Sequence, residues 1–162
     1  MSAAISHHKP LRFQVQPIRP HAHLFAVELC IPLIAEASNP SKIDLSMPAW
    51  IPGSYMIRDF AKNLIGLMAE GPNGPLPLTQ IDKDHWQLDL SGLADADEIR
   101  VRYQVYAWEL SVRAAHLDTT HGYFNGPSLF LRVAGRDRAP CLVELLPPPA
   151  EMQSGETPSD WQ

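Results

Sequence analysis

A chain of 162 residues, 45% hydrophobic and 19% charged, has the size and balance of one globular domain able to bury its own core. Its formal net charge of −5 removes the electrostatic basis for binding nucleic acid or an anionic membrane, and seven histidines do not alter that at neutral pH. No run approaches the ~18 apolar residues of a transmembrane helix.

From the N-terminus, "MSAAISHHKP" has no basic region leading into an apolar stretch, so residues 1–10 read as a flexible arm without a secretory signal. A cytoplasmic protein is the expectation, with the periplasm or secretion as the alternative. Period-two alternation then sets in at Leu11, Phe13 and Val15, and returns at His23, Phe25, Val27, Leu29 and Ile31 and at Ile43, Leu45 and Met47. It recurs at Trp86, Leu88 and Leu90, at Ile99, Val101, Tyr103 and Val105, and at Leu129, Leu131 and Val133, with mostly polar or small residues between. Successive side chains of a strand point to opposite faces, so each run sets one face on a core and the other in water.

Half-solvated strands imply antiparallel sheets. Sixteen prolines, about twice the usual ~5% share, and nine glycines cut the chain too often for long helices. Turn signals fall at 38–41, 71–77, 91–97 and 134–140. "AKNLIGLMAE", Ala61 to Glu70, fits either a last helical turn or a strand. Together these predict an all-β domain over 11–147, an antiparallel β-sandwich or saddle-like pair of sheets with at most short helical turns. Cys30 and Cys141 each sit inside a strand-like segment, which suits free, buried thiols in a reducing compartment; a single bridge is the alternative. Past "CLVELL", residues 148–162 are polar and Pro-rich and read as a linker at a domain boundary.

Signatures of catalysis are missing from these residues: no H-E-x-x-H, no G-x-S-x-G, no P-loop and no G-x-G-x-x-G. Ser54 in "GSY" lacks the second glycine of a nucleophile elbow. His21 and His23 fall on one face of an expected strand, as in some metal sites, yet no third ligand is in view. His116 and His121 bracket Asp118 in a spacing that matches no standard ligand pattern, and read as hydrogen-bonded loop histidines. No metal ligand is therefore assigned. Asp82 and Asp84 beside Lys83 read as a charged face.

Two stretches stand out, "WIPGSYMIRDF" from Trp50 and "YAWELSVRAAHLDTTHGYFNGPSLFL" from Tyr106. Both place arginine near aromatics, Arg58 beside Tyr55 and Phe60, Arg113 between Trp108 and the Tyr123–Phe124 pair. Such groupings either pin a loop within the domain or build an interface.

"MPAWIPGSYMIRDFAKNL", "DKDHWQL", "VRYQVYAWELSVRAAHLD" and "GYFNGPSLFLRVAG", in that order, resemble the N-terminal domain of the PDZ-containing glycyl aminopeptidases, zinc metallopeptidases of peptidase family sixty-one. The similarity runs from about Phe13 to Trp161. It implies a non-catalytic N-terminal β-domain of an enzyme that also carries a thermolysin-like catalytic domain and a PDZ domain and removes small N-terminal residues, typically glycine, from peptides. No catalytic residue carries over and no cofactor is expected in this chain; zinc belongs to the catalytic domain. Tyr55, Arg58, Asp59, Arg113 and Asn125 are the candidates for the surface that docks on that domain or rims the substrate cleft. The expected partners are the catalytic and PDZ domains and a peptide substrate, with room for a dimer of the isolated domain. The rival reading is a stand-alone β-sandwich gripping carbohydrate or peptide with Trp50, Trp86 or Trp108. A second rival is a small metal-dependent hydrolase built on His21, His23, His116 and His121.

Overall fold

The computed structural model describes residues 9–33, 41–93 and 96–149. These form twelve strands: β1 Leu11–Arg19, β2 Leu24–Pro32, β3 Lys42–Ser46, β4 Leu64–Gly71, β5 Gly74–Leu76, β6 Leu78–Asp82, β7 His85–Asp89, β8 Glu98–Tyr106, β9 Ala115–Leu117, β10 Gly122–Phe124, β11 Arg132–Val133 and β12 Cys141–Leu145. The only helical pieces among them are the 3-10 turns Pro20–Ala22, Phe60–Asn63 and Gly126–Ser128. No described helix is long and apolar enough to cross a membrane. The expected all-β class with short helical turns is the observed one.

Six strands pair in the order β12-β1-β2-β8-β4-β5, four in the order β11-β3-β7-β6, and β9 with β10 in a small hairpin sheet. The alternation explains the layering. Phe13 and Val15 of β1, Val27 and Leu29 of β2, and Val101 and Val105 of β8 are buried in one cluster with Leu45 of β3 and Leu88 of β7, so the two larger sheets share a core. Burying a side chain of this size contributes about 1.5–3 kcal/mol, and this shared core is the main source of cohesion between the sheets. The opposite face of the six-stranded sheet is polar: Arg102 of β8 bridges Glu28 of β2 at 2.6 Å and Glu70 of β4 at 2.7 Å.

Tyr103 of β8 points its ring into the core. Its hydroxyl donates to the Leu129 carbonyl at 2.8 Å and accepts the Leu131 N–H at 3.3 Å, and burial pushes its pKa well above the ordinary phenol value. Ala61 to Glu70 combines the two sequence readings, a 3-10 turn followed by β4. Gly66, at φ 65°, lies where the β4–β8 register shifts between Ile65 and Met68, in the left-handed region that glycine tolerates.

Four expectations need correction. β1 pairs with β12 in parallel, because the chain crosses the molecule between β11 and β12 instead of returning by a hairpin. Leu129, Leu131 and Val133 are all buried, but only Arg132–Val133 is strand, since Pro127 and the Ser128 hydroxyl bonded to the Asn125 carbonyl at 2.6 Å hold a tight turn just before. His21 lies in a 3-10 turn and His23 caps it at φ 62°, so the two do not share a strand face. Both cysteines are free, but Cys141, on the edge strand β12, is exposed rather than buried. The linker reading of 148–162 falls, beyond Pro149, outside the described residues, as does most of the turn signal at 38–41.

Candidate functional site

The loop between β3 and the Phe60–Asn63 turn is built around a type II-like reversal. Pro52 and Gly53, the latter at φ 81°, occupy its centre, and the Ser54 N–H closes it onto the Ile51 carbonyl at 3.1 Å. Ser54 is buried and acts as a local hub. Its hydroxyl donates to the Met56 carbonyl at 2.9 Å and accepts from the Met56 N–H and the Arg58 Nε, both at 3.3 Å. The Trp50 indole N–H donates to the Ser54 carbonyl at 2.8 Å, and the Arg58 N–H to the Ala49 carbonyl at 2.7 Å, closing the base of the loop. Ile51 and Phe60 anchor the ends in the core, while Tyr55, Met56 and Ile57 project into solvent.

The second unusual stretch lies alongside. The segment after β8 turns back through Ser111–Ala114, held by the Ala114 N–H on the Ser111 carbonyl at 2.9 Å, and presents Trp108, Leu110 and Val112 outward. Arg58 Nη1 reaches Glu109 Oε1 at 3.4 Å and joins the two loops. The Tyr123 hydroxyl donates to the Glu109 carbonyl at 3.3 Å, and Asn125 Nδ2 to the Val112 carbonyl at 3.4 Å, tying the hairpin β9–β10 to the same rim.

Of the five predicted residues, Arg58 and Asn125 thus brace this rim, and Tyr55 stands fully exposed upon it. Arg58 uses its guanidinium on Ser54 and Glu109, not on an aromatic ring. Asp59 sits at φ 44° and pairs with Lys83 at 2.6 Å, which brings the charged β6–β7 turn to the loop. Arg113 donates its backbone N–H to Ser111 Oγ at 3.3 Å. Trp86, on β7 between β3 and β6, is buried, which removes it from any aromatic platform; Trp50 and Trp108 remain half-exposed.

Sequence reasoning missed Ser54 as an anchor and Glu109 as the partner of Arg58, because neither contact has a spacing that could announce it. The hydrogen-bonded loop histidines expected around Asp118 are found at the β9–β10 turn. There Asp118 Oδ1 accepts the Thr120 N–H at 2.7 Å, the Thr120 hydroxyl at 2.7 Å and the His121 N–H at 2.9 Å. Asp118 Oδ2 faces His116 Nε2 at 3.1 Å. The Thr120 hydroxyl, then these backbone donors, hold the carboxyl well below the usual carboxylate range. The signal was a His-x-Asp-x-x-His run whose hairpin turn folds both imidazoles toward one carboxylate.

A thermolysin-type zinc requires two histidines one helical turn apart with a glutamate between them. The described residues contain no such helix, and the donor set at the β9–β10 turn lacks that glutamate, so the described residues do not fit a catalytic zinc of that type.

The chain matches the family model described as the peptidase M61 N-terminal domain over residues 12–159. No curated protein matches it. Among solved structures, the crystal structure of an aminopeptidase N family protein from Idiomarina loihiensis is similar at a TM-score of 0.76 and 45% sequence identity, covering 86% of this chain. The chain spans 22% of that protein's length. A match running from β1 through β12, agreeing with a solved structure in fold and in nearly half of the aligned residues, shows that the chain belongs to the peptidase M61 N-terminal domain family.

Proposed function

We propose that this chain is the non-catalytic β-domain of a zinc-dependent aminopeptidase that removes small N-terminal residues such as glycine, and that it packs on the catalytic domain and helps wall its cleft. The observation that carries the reading is the rim. Tyr55, Met56, Ile57, Leu110 and Val112 are apolar, exposed and adjacent in two loops that Arg58 and Glu109 join. Grouped exposed apolar side chains on a braced scaffold mark an interaction surface, and the partner proposed for it is a catalytic domain of the same protein, with a PDZ domain and a peptide substrate. Tyr55, Arg58, Asp59, Arg113 and Asn125 are assigned to that contact or to the cleft edge, and the whole enzyme to the cytoplasm.

The test is Arg58→Ala in a protein that also contains the catalytic domain. Loss of the Glu109 contact loosens the rim, so kcat/KM for a glycyl peptide should fall about tenfold, a barrier change of ~1.4 kcal/mol, or the interdomain melting transition should drop. Kinetics and melting both equal to wild type would remove the proposal.

A further inference from the structure

We propose that His116, Asp118 and His121 form a binding site for a zinc-class divalent cation on the β9–β10 hairpin. One ligand atom from each residue lies within 4.8 Å of the other two. The His116 Nε2 to Asp118 Oδ2 distance of 3.1 Å is the separation of two ligands that each lie ~2.1 Å from a shared zinc ion at an angle of roughly 95°. Neither atom has to move, but the cation replaces their hydrogen bond: the Nε2 proton is released and the neutral ring keeps its proton on Nδ1. His121 Nδ1, 3.4 Å from the other Asp118 oxygen, is on an exposed side chain and closes by a ring rotation that gives up its 2.9 Å contact with the Thr120 hydroxyl.

The supports are already rigid. His116 is 2% exposed, its ring stacked between Trp108 at 4.9 Å and Tyr123 at 5.9 Å, and Trp108 stacks in turn on His23 at 3.8 Å. Asp118 is fixed through Oδ1 by three donors of its own turn, which leaves Oδ2 lone pairs for a cation. Two imidazoles and a carboxylate favour Zn²⁺ or Co²⁺ over Mg²⁺ or Ca²⁺, which take all-oxygen sets. Three protein ligands with His121 at the surface leave the fourth tetrahedral position to water.

Among the described residues His116 Nδ1 has no hydrogen-bond partner. A ligating histidine normally donates that N–H to an acceptor, and lacking one weakens a site by roughly 10- to 100-fold, so the affinity expected here is micromolar rather than nanomolar.

The experiment is calorimetric titration of the chelator-stripped 162-residue protein with zinc chloride, alongside melting curves with and without zinc. Because His7 and His8 offer a second imidazole pair, a His7→Ala/His8→Ala double variant serves as background. That background should bind one zinc per chain and melt higher with zinc. Adding His121→Ala should leave metal-free melting unchanged and weaken zinc by at least about tenfold, and Asp118→Asn should weaken it likewise. Cobalt should give the intense visible absorption of a four-coordinate ion. Zinc binding equal with and without His121, or none in the background variant, overturns the site and leaves a hydrogen-bonded turn.

Discussion

β8 and the loop from Met47 to Phe60 are both rich in apolar and aromatic residues, and they use them in opposite ways. Ile99, Val101, Tyr103 and Val105 are all buried on β8, a strand that pairs with β2 on one side and β4 on the other, and the one polar atom among those side chains has both its hydrogen bonds made inside. The loop buries Met47, Ile51, Ser54 and Phe60 and turns Tyr55, Met56 and Ile57 outward. A strand between two others gains by hiding its side chains. A loop closed by its own hydrogen bonds can hold apolar groups in water in a fixed arrangement, which is the condition for a surface that binds without first being ordered.

The comparison breaks most sharply in β8. Ile99→Ala removes a fully buried side chain facing the shared core and should lower the unfolding free energy by about 2–5 kcal/mol, read from the urea midpoint at constant slope. A loss below about 1 kcal/mol would mean that the two sheets are not held by a common core.

How far the sequence alone reaches follows the same division. β8 was legible because alternation at Ile99, Val101, Tyr103 and Val105 states its own burial, and the same holds for β1, β3 and β7. The parallel partner β12 was not, since "CLVELL" carries no record of which strand it joins, and pairing is a property of the closed chain. His23 was misread because its backbone is set by the preceding Pro20 turn, and by a 2.6 Å contact of Nδ1 with the Leu117 carbonyl, far along the chain. In the rim, Arg58 and Asn125 lie in motifs that stand out in the sequence, whereas Glu109, which lies 51 residues after Arg58, has no local mark. Periodicity reports neighbours along a strand and is silent about contacts that loops make after the sheets have assembled.

An intermediate effect comes from the hub of the loop. Ser54→Ala deletes the hydroxyl that serves Met56 and Arg58 in a buried position, leaving their N–H and carbonyl groups without that partner. A destabilisation of about 1–3 kcal/mol is expected. Amide exchange should rise at Met56 and Arg58 while protection in β8 falls only by the global loss. Uniform loss of protection throughout the molecule would show that the loop is not a separate unit and would collapse the distinction.

The smallest effect is the most informative about the outward side chains. Tyr55→Ala removes a ring that the domain leaves wholly in water, so the 162-residue protein should melt within about 0.5 kcal/mol of wild type, as surface substitutions away from packing do. The opposite is expected where a catalytic domain is joined to the chain, because a ring of this kind contributes energy only once a partner desolvates it, and truncated interface aromatics then cost about 2 kcal/mol or more. A cost of 1 kcal/mol or more in the 162-residue protein itself would place Tyr55 in the packing of the domain. No cost in either setting would mean that the ring meets no partner, and the loop's apolar face would need another occupant. A cost in the joined protein alone assigns Tyr55 to the interface and leaves Ser54 and Phe60 as the side chains that hold it ready.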